Sequence, residues 1–214
     1  MELIEKATII HYHRHRIKEF NAGTVKSLGW KGDDSQQKRF ETLVKVADLN
    51  GTSILDLGCG QGDLKFFLDE RFAGFSYIGI DQMPEFISEA QRRHGHLPGT
   101  DFYQSDFSTV VLPQVEYVIA CGALGYRCAK PNWFNEMIAK MYASACRALV
   151  FNMLDIATFP DHPLLVGHDV DEVVAFCKTL SPRVEVKSRY LEDDFTIYMY
   201  RDLCTSLFSA PAAL

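Results

Sequence analysis

The sequence predicts an α/β fold, a seven-stranded, mostly parallel sheet that ends in an antiparallel hairpin and carries helices on both faces. Three observations predict it. From Ser53 onward, short apolar runs alternate with segments of helical periodicity, the pattern of repeated βαβ units. The first such run, Ile54-Leu55 and Leu57, passes directly into a glycine turn and then into helical sequence, as a buried parallel strand does. Only Tyr190-Leu191-Glu192-Asp193 separates the last two strand patterns, too few residues for a crossover helix, so these strands pair antiparallel.

Along the chain, residues 1–50 read as two helices, joined through Asn21-Ala22-Gly23-Thr24 and the loop Gly29-Trp30-Lys31-Gly32. The second spans 34–48, with Asp33-Asp34-Ser35 as its N-cap cluster and Leu43, Val44 and Val46-Ala47 as its apolar stripe. This pair forms a helical lid over a core at 51–201. Strands are predicted at 53–57, 75–80, 101–105, 115–121, 147–154, 183–189 and 194–201, and helices at 62–71, 83–94, 132–146 and 169–179. Prolines 84, 131, 163 and 182 fall at element edges, where a missing N–H is tolerated. The expectation is one domain over 1–204, with a flexible tail at 205–214 containing Ser-Ala-Pro-Ala-Ala.

Composition narrows the function classes. The chain has 214 residues, 47% hydrophobic and 23% charged, ordinary for a globular protein with room for a large core. A net charge of −6 argues against a broad nucleic-acid surface. No apolar run approaches the roughly 20 residues of a membrane helix. The start, Met-Glu-Leu-Ile-Glu-Lys, lacks signal-peptide regions, so a cytoplasmic monomer or homodimer is expected. Cysteines 59, 121, 128, 146, 177 and 204 form no Cys-x-x-Cys pair and read as reduced thiols.

The turn Gly58-Cys59-Gly60-Gln61-Gly62 has glycines at alternate positions, so its backbone amides can approach a nucleotide closely. A dinucleotide fingerprint carries its third glycine one residue later. Asp56, two residues before Gly58, suits a ligand with a positive amino group and repels a pyrophosphate. Asp81 ends the second strand Tyr77-Ile78-Gly79-Ile80, where a carboxylate can accept both ribose hydroxyls. Ser105-Asp106-Phe107 follows the third strand and offers a polar side chain and a ring for a base.

These residues together resemble a class I S-adenosylmethionine-dependent methyltransferase over roughly residues 50–201, closing hairpin included. The resemblance implies a Rossmann-like sheet and S-adenosyl-L-methionine as cofactor, with no metal. It implies that Asp56, Gly58 and Gly60 hold the methionine moiety, with Cys59, Gly62, Asp63 and Leu64 in the same cradle. Asp81 is implied to bind the ribose, Gln82 and Met83 to line the adenine, and Ser105, Asp106 and Phe107 to bound its far side. Helix capping is a further role open to Asp81. Cys121-Gly122-Ala123 matches the loop where cofactor and acceptor meet. Upstream, Gly29-Trp30 followed by Gln36-x-x-Arg39-Phe40 resembles a group of small bacterial methyltransferases whose first helices cap the cofactor pocket, with Trp30 near the ligand and Gln36 or Arg39 on its carboxylate.

The acceptor is less marked. Cys121-Gly122-Ala123-Leu124-Gly125-Tyr126-Arg127 stands where enzymes acting on nucleobase amines and protein amides carry Asp/Asn-Pro-Pro-aromatic, which favours a small-molecule substrate. RNA or protein methylation and a non-catalytic cofactor-binding module are the alternatives; an NAD oxidoreductase is disfavoured by the glycine spacing and Asp56. Candidate substrate residues are Tyr12, Tyr126, Arg127 and Asp155, and candidate bases are Tyr126, His162 and His168. Histidines at 11 and 15 are spaced to share a helical face, but no third ligand has matching spacing. The surrounding run His11-Tyr12-His13-Arg14-His15-Arg16 reads instead as a basic face, a solvated face, or one lining the pocket with Tyr12.

Overall fold

A computed structural model describes residues 1–30 and 32–202; the expected tail and Cys204 lie outside the described residues. Among the described residues eight strands form one sheet: β1 Ser53–Leu57, β2 Ser76–Asp81, β3 Thr100–Gln104, β4 Val115–Ala120, β5 Ala145–Asp155, β6 Gly167–His168, β7 Arg183–Ser188 and β8 Asp194–Tyr200. Their spatial order is β3-β2-β1-β4-β5-β8-β7, with β6 paired to the tip of β5. β1 to β5 run parallel, while β8 lies antiparallel between β5 and β7, as the short hairpin link requires.

The chain therefore builds outward from β1 to β3, then returns to place β4 on the other side of β1. That reversal opens a crevice at the C-terminal ends of β1 and β4, where ligands bind in open α/β sheets.

Among the described residues six α-helices accompany the sheet: α1 Leu3–Phe20, α2 Asp33–Leu43, α3 Asp63–Asp69, α4 Pro84–His94, α5 Trp133–Ser144 and α6 Val170–Leu180. Alternation along β1 sends Leu55 and Leu57 into one core with Ile138, Met141 and Cys177 of α5 and α6. Ile54 points the other way, into a second core with Phe40, Leu43, Phe67 and Ile87 of α2, α3 and α4. Burying each such large apolar side chain contributes roughly 1.5–3 kcal/mol, so both faces of the sheet are firmly covered.

Four expectations need correction. α2 is a core helix rather than half of a lid, because Phe40 and Leu43 are buried against the sheet and the Tyr198 hydroxyl donates to the Thr42 carbonyl at 2.7 Å. It ends at Leu43 and tightens into a 3₁₀ turn, Val44–Val46, where β-branched residues crowd a continuing α-helix. Its N-cap is Gly32, which puts Asp33 and Asp34 inside the first turn, where they favour the positive end of the helix. Further on, Ala145 and Cys146 belong to β5, which follows α5 without an intervening loop.

Candidate active-site cleft

The glycine turn is fixed by its neighbours. Gly58 and Cys59 N–H groups both donate to the Ile80 carbonyl, at 2.8 and 3.1 Å, tying the end of β1 to β2. Gly60 sits at φ +54°, and a Cβ there would lie 2.8 Å from Leu28 Cδ2. Any side chain at this position would be strained and would push away the segment that closes the turn from above.

Two carboxylates lie beneath the turn. Asp81 accepts from the Gly60 N–H through Oδ2 (3.0 Å) and from the Met83 N–H through Oδ1 (2.8 Å), so it joins the turn to the start of α4. Burial raises its pKa to about 6, against the lowering effect of those backbone bonds. Asp56 is 1% exposed and accepts from the Tyr77 hydroxyl at 2.5 Å. Its pKa is pushed up to about 7 by burial, with the negative charge of Asp81 adding to the effect. Among the described residues, neither carboxylate forms an ion pair.

Asp56 and Asp81 face a cleft whose inner part is lined by Gly58, Cys59, Gly60, Asp63, Leu64, Cys121 and, from the N-terminal segment, His13, Trp30 and Gln36. Its outer part continues along Gln82, Asp106, Phe107 and Ser108. Gly58, Asp81, Ala123 and Tyr126 line both parts. Gln36 donates to Asp63 at 3.1 Å, and Arg93 holds the other Asp63 oxygen at 2.6 Å.

The rest of the expected cofactor set lies at the margins. Met83 is 1% exposed and reaches the site only through its N–H to Asp81. Ser105 donates its backbone N–H to the Asp81 carbonyl. Gly62 turns the chain into α3 at φ +80° with His94 and Phe102 behind it.

α1 crosses the cleft and is held at several points. Lys6 pairs with Asp106, Arg14 with Glu85 at 2.7 Å, and the Ala129 N–H donates to Glu5. In the middle, His13 is 6% exposed, with Nε2 2.6 Å from the Tyr126 hydroxyl and Nδ1 3.4 Å from the Ser27 carbonyl. A carbonyl can only accept, so Nδ1 carries the proton and Nε2 accepts from Tyr126. Burial lowers the His13 pKa to about 4, which keeps the ring neutral in this arrangement. His13, Phe86, Leu28 and Lys6 were not singled out from sequence as members of the site.

A second pocket adjoins the first across Trp30, which lines both. Arg39 and Gly122 line this pocket and not the cleft in which they were expected. The reason is a buried network: Arg39 Nε donates to Asp194 at 2.6 Å and the Arg39 guanidinium lies 4.6 Å from the Trp30 ring. Asn152 links the same Asp194 (2.8 Å) to the Gly122 N–H (2.7 Å). A Cβ on Gly122 would come within 2.5 Å of the Trp30 ring, so only glycine allows Trp30 to sit there.

Other candidates are occupied elsewhere. Tyr12 packs beneath Gly29, with its hydroxyl 3.2 Å from where a Cβ would be. Arg127 is exposed and bonds Asp161 and the His162 carbonyl. Asp155 and His162 accept backbone N–H groups of their own loop, from Ala157 and from Leu164 and Leu165. His168 packs edge-on to Phe134 at 4.3 Å, beside a small pocket next to α5. Of the candidate bases and substrate residues, Tyr126 alone lines the cleft. Among the described residues no group of three or more His, Cys, Asp or Glu is placed to hold a metal ion.

Strand order, terminal hairpin and crevice define a class I methyltransferase fold. Residues 54–147, from β1 to the start of β5, match the model of the methyltransferase domain family. The chain is 31% identical over 134 residues to a trans-aconitate 2-methyltransferase of Methylobacterium nodulans, covering 62% of this chain and 50% of that one. It is 42% identical over 60 residues to a probable phthiotriol/phenolphthiotriol dimycocerosates methyltransferase 2 of Mycobacterium ulcerans, covering 28% of this chain and 23% of the relative. The chain thus spans half or less of these relatives' lengths. Among solved structures, the magnesium protoporphyrin IX methyltransferase of Synechocystis PCC 6803 with bound SAH superposes with a TM-score of 0.66 at 19% identity, covering 92% of this chain and 100% of that one. The N-methyltransferase NodS of Bradyrhizobium japonicum WM9, in complex with S-adenosyl-l-homocysteine, gives 0.68 at 14% identity over 90% and 97%.

Proposed function

We propose that this chain transfers a methyl group from S-adenosyl-L-methionine to a small-molecule acceptor. The observation that carries this reading is the pair Asp56 and Asp81, buried under the glycine turn with raised pKa values and with no ion-pair partner among the described residues. Two carboxylates pushed toward neutrality by burial favour a ligand that brings positive charge and hydroxyl donors. S-adenosylmethionine has both, an ammonium and sulfonium at one end and a ribose in the middle.

In this reading Asp56 and the 58–62 turn hold the amino-acid end. Asp81 accepts the ribose hydroxyls, and Gln82, Asp106 and Phe107 bound the base. When bound, S-adenosylmethionine supplies a methyl group already activated on a sulfonium. The protein's share is then alignment and exclusion of water. α1 excludes water by covering the cleft, and His13 positions Tyr126 over its centre. Relatives named for trans-aconitate and fatty-acid methylation support a small acceptor. The single-domain arrangement and a place in the cytoplasm are part of the same proposal; among the described residues no helix is long and apolar enough to cross a membrane.

Thermal denaturation tests it. S-adenosylhomocysteine at 100 times its dissociation constant should stabilise the folded state by about 2.7 kcal/mol and raise Tm by several degrees. NAD should leave Tm unchanged. Stabilisation by NAD alone would reverse the cofactor assignment.

A further inference from the structure

The pocket behind Trp30 is bounded by the tips of β5 and β8, the loop after β5, and α2, and its volume is about 290 Å³. A benzene ring fits in roughly 150 Å³, so this space holds a ring with a short chain and is too small for a polymer segment. Six side chains give it an apolar lining: Trp30, Met153, Leu154, Phe159, Leu165 and Leu191. Met153 is buried, whereas the other five are half-buried. They leave apolar surface in contact with water, which a ligand of the same character would cover.

The polar groups of the wall decide which ligands it excludes. Among the described lining residues, Arg39, Asn152 and Asp194 are the buried polar side chains, and they engage one another. Arg39 Nε and Nη2 both reach Asp194 Oδ2, at 2.6 and 2.5 Å, and Nη1 donates to the Ser35 carbonyl at 3.2 Å. Asp194 Oδ1 accepts from Asn152 Nδ2 at 2.8 Å and from the Tyr190 hydroxyl. Asn152 Oδ1 in turn accepts from the Gly122 N–H at 2.7 Å. Backbone acceptors are occupied as well: the Val166 N–H donates to the Gly125 carbonyl, the Asp155 N–H to the Asp193 carbonyl, and the Thr158 hydroxyl to the Glu192 carbonyl. Of the two remaining acids, Glu192 is exposed to water and Asp193 has a partner of its own. A charged group entering the pocket would lose its water without gaining an equivalent partner. An uncharged apolar group escapes that cost.

The pocket approaches the cofactor cleft at Gly122, whose chain neighbours Cys121 and Ala123 line the cleft, while Trp30 lines both spaces. We propose that this pocket receives the uncharged apolar body of the methyl acceptor, a ring or short hydrocarbon chain, and leaves the acceptor's reactive end at the boundary formed by Gly122 and Trp30. This rests on the methyltransferase reading above, and concerns the acceptor alone.

The test titrates a homologous series, benzyl alcohol, 2-phenylethanol and 3-phenylpropan-1-ol, into protein saturated with S-adenosylhomocysteine. Glycerol is the polar control, and benzylamine, 2-phenylethylamine, benzoate and 3-phenylpropionate are the charged matches. Binding is read by ligand-observed NMR and calorimetry. Affinity should rise about fourfold with each added methylene of the alcohols. The ions of either sign should bind at least about tenfold more weakly than the alcohol of the same skeleton. Salt should leave alcohol binding unchanged. Inter-ligand NOEs should connect the alcohol's CH2OH protons with S-adenosylhomocysteine. Leu165→Trp and Leu191→Trp, which fill the pocket from two different loops, should each abolish alcohol binding while S-adenosylhomocysteine still binds.

Alcohols that bind no better than glycerol, ions that bind as well as the alcohols, or alcohol binding that survives in a filled variant would each overturn the proposal. So would alcohol binding with no inter-ligand NOE. Protein that fails to bind S-adenosylhomocysteine would instead overturn the cofactor reading, so the two failures are distinct.

Discussion

At the scale of single residues, Asp56 is where function and stability pull apart. Its pKa rises from 3.8 to about 7 on folding, so folding favours the protonated form. The resulting penalty is absent below pH 3.8, grows as pH rises, and is complete above about 7. Asp56→Asn keeps an acceptor for the Tyr77 hydroxyl and removes the charge. It should leave stability near pH 4 little changed and raise it at pH 8 by about 2–4 kcal/mol, measured by denaturant titration at the two pH values. A cationic cofactor end favours the ionised carboxylate, so the same group predicts a ligand effect of opposite sense. S-adenosylhomocysteine affinity should fall as pH drops from 8 to 6, with protons released on binding, which calorimetry in buffers of different ionisation enthalpy would register. Gly122 offers a second test at this scale. Gly122→Ala meets the Trp30 ring at 2.5 Å and forces alanine to φ +70°. It should cost at least about 1 kcal/mol of stability and shift Trp30 fluorescence as the ring leaves its seat.

At the scale of elements, α1 and α2 differ in how firmly they are held, although both precede the sheet. α1 buries Ile9 and His13 over 18 residues, whereas α2 buries five of its 11. α1 therefore opens first, and its polar links to the rim of the cleft set how often. Tyr126→Phe removes the hydroxyl that His13 accepts. The expected outcome is a loss of about 1 kcal/mol of local protection, seen as faster amide exchange across α1, with exchange in β1, β4 and β5 unchanged.

The sequence described these elements unevenly, for physical reasons. β1, β2, β4 and β8 are buried strands, and burial leaves an apolar signature in a linear chain. β6 has two residues, Gly167 and His168, and exists only because the loop returns to the tip of β5, so no periodicity marks it. His13 was hidden inside a run of polar side chains. Which of them faces inward is decided by Phe86 and Tyr126 packed around it, not by its neighbours in sequence.

At the scale of the whole molecule, two pockets meet at one side chain. That Asp56, the glycine turn, Asp81 and Asp106 share one cleft was readable, because a strand-turn-helix unit keeps these groups close in sequence as well as in space. The pocket behind Trp30 was not, because its buried pair, Arg39 and Asp194, lies 155 residues apart and meets only when α2 docks against β5 and β8. That separation also explains why Arg39 was assigned to the cofactor from its position near Trp30.

The central claim is that Asp81, under the glycine turn, holds the ribose of S-adenosylmethionine. Calorimetric titration of S-adenosylhomocysteine into the wild-type chain and into Asp81→Ala and Asp81→Asn, all checked for folding by circular dichroism, tests it most directly. The prediction is saturable binding by the wild type and a loss of about 2–4 kcal/mol in folded Asp81→Ala, with Asp81→Asn between the two. Equal affinity in all three proteins, or no binding by the wild type, would contradict it.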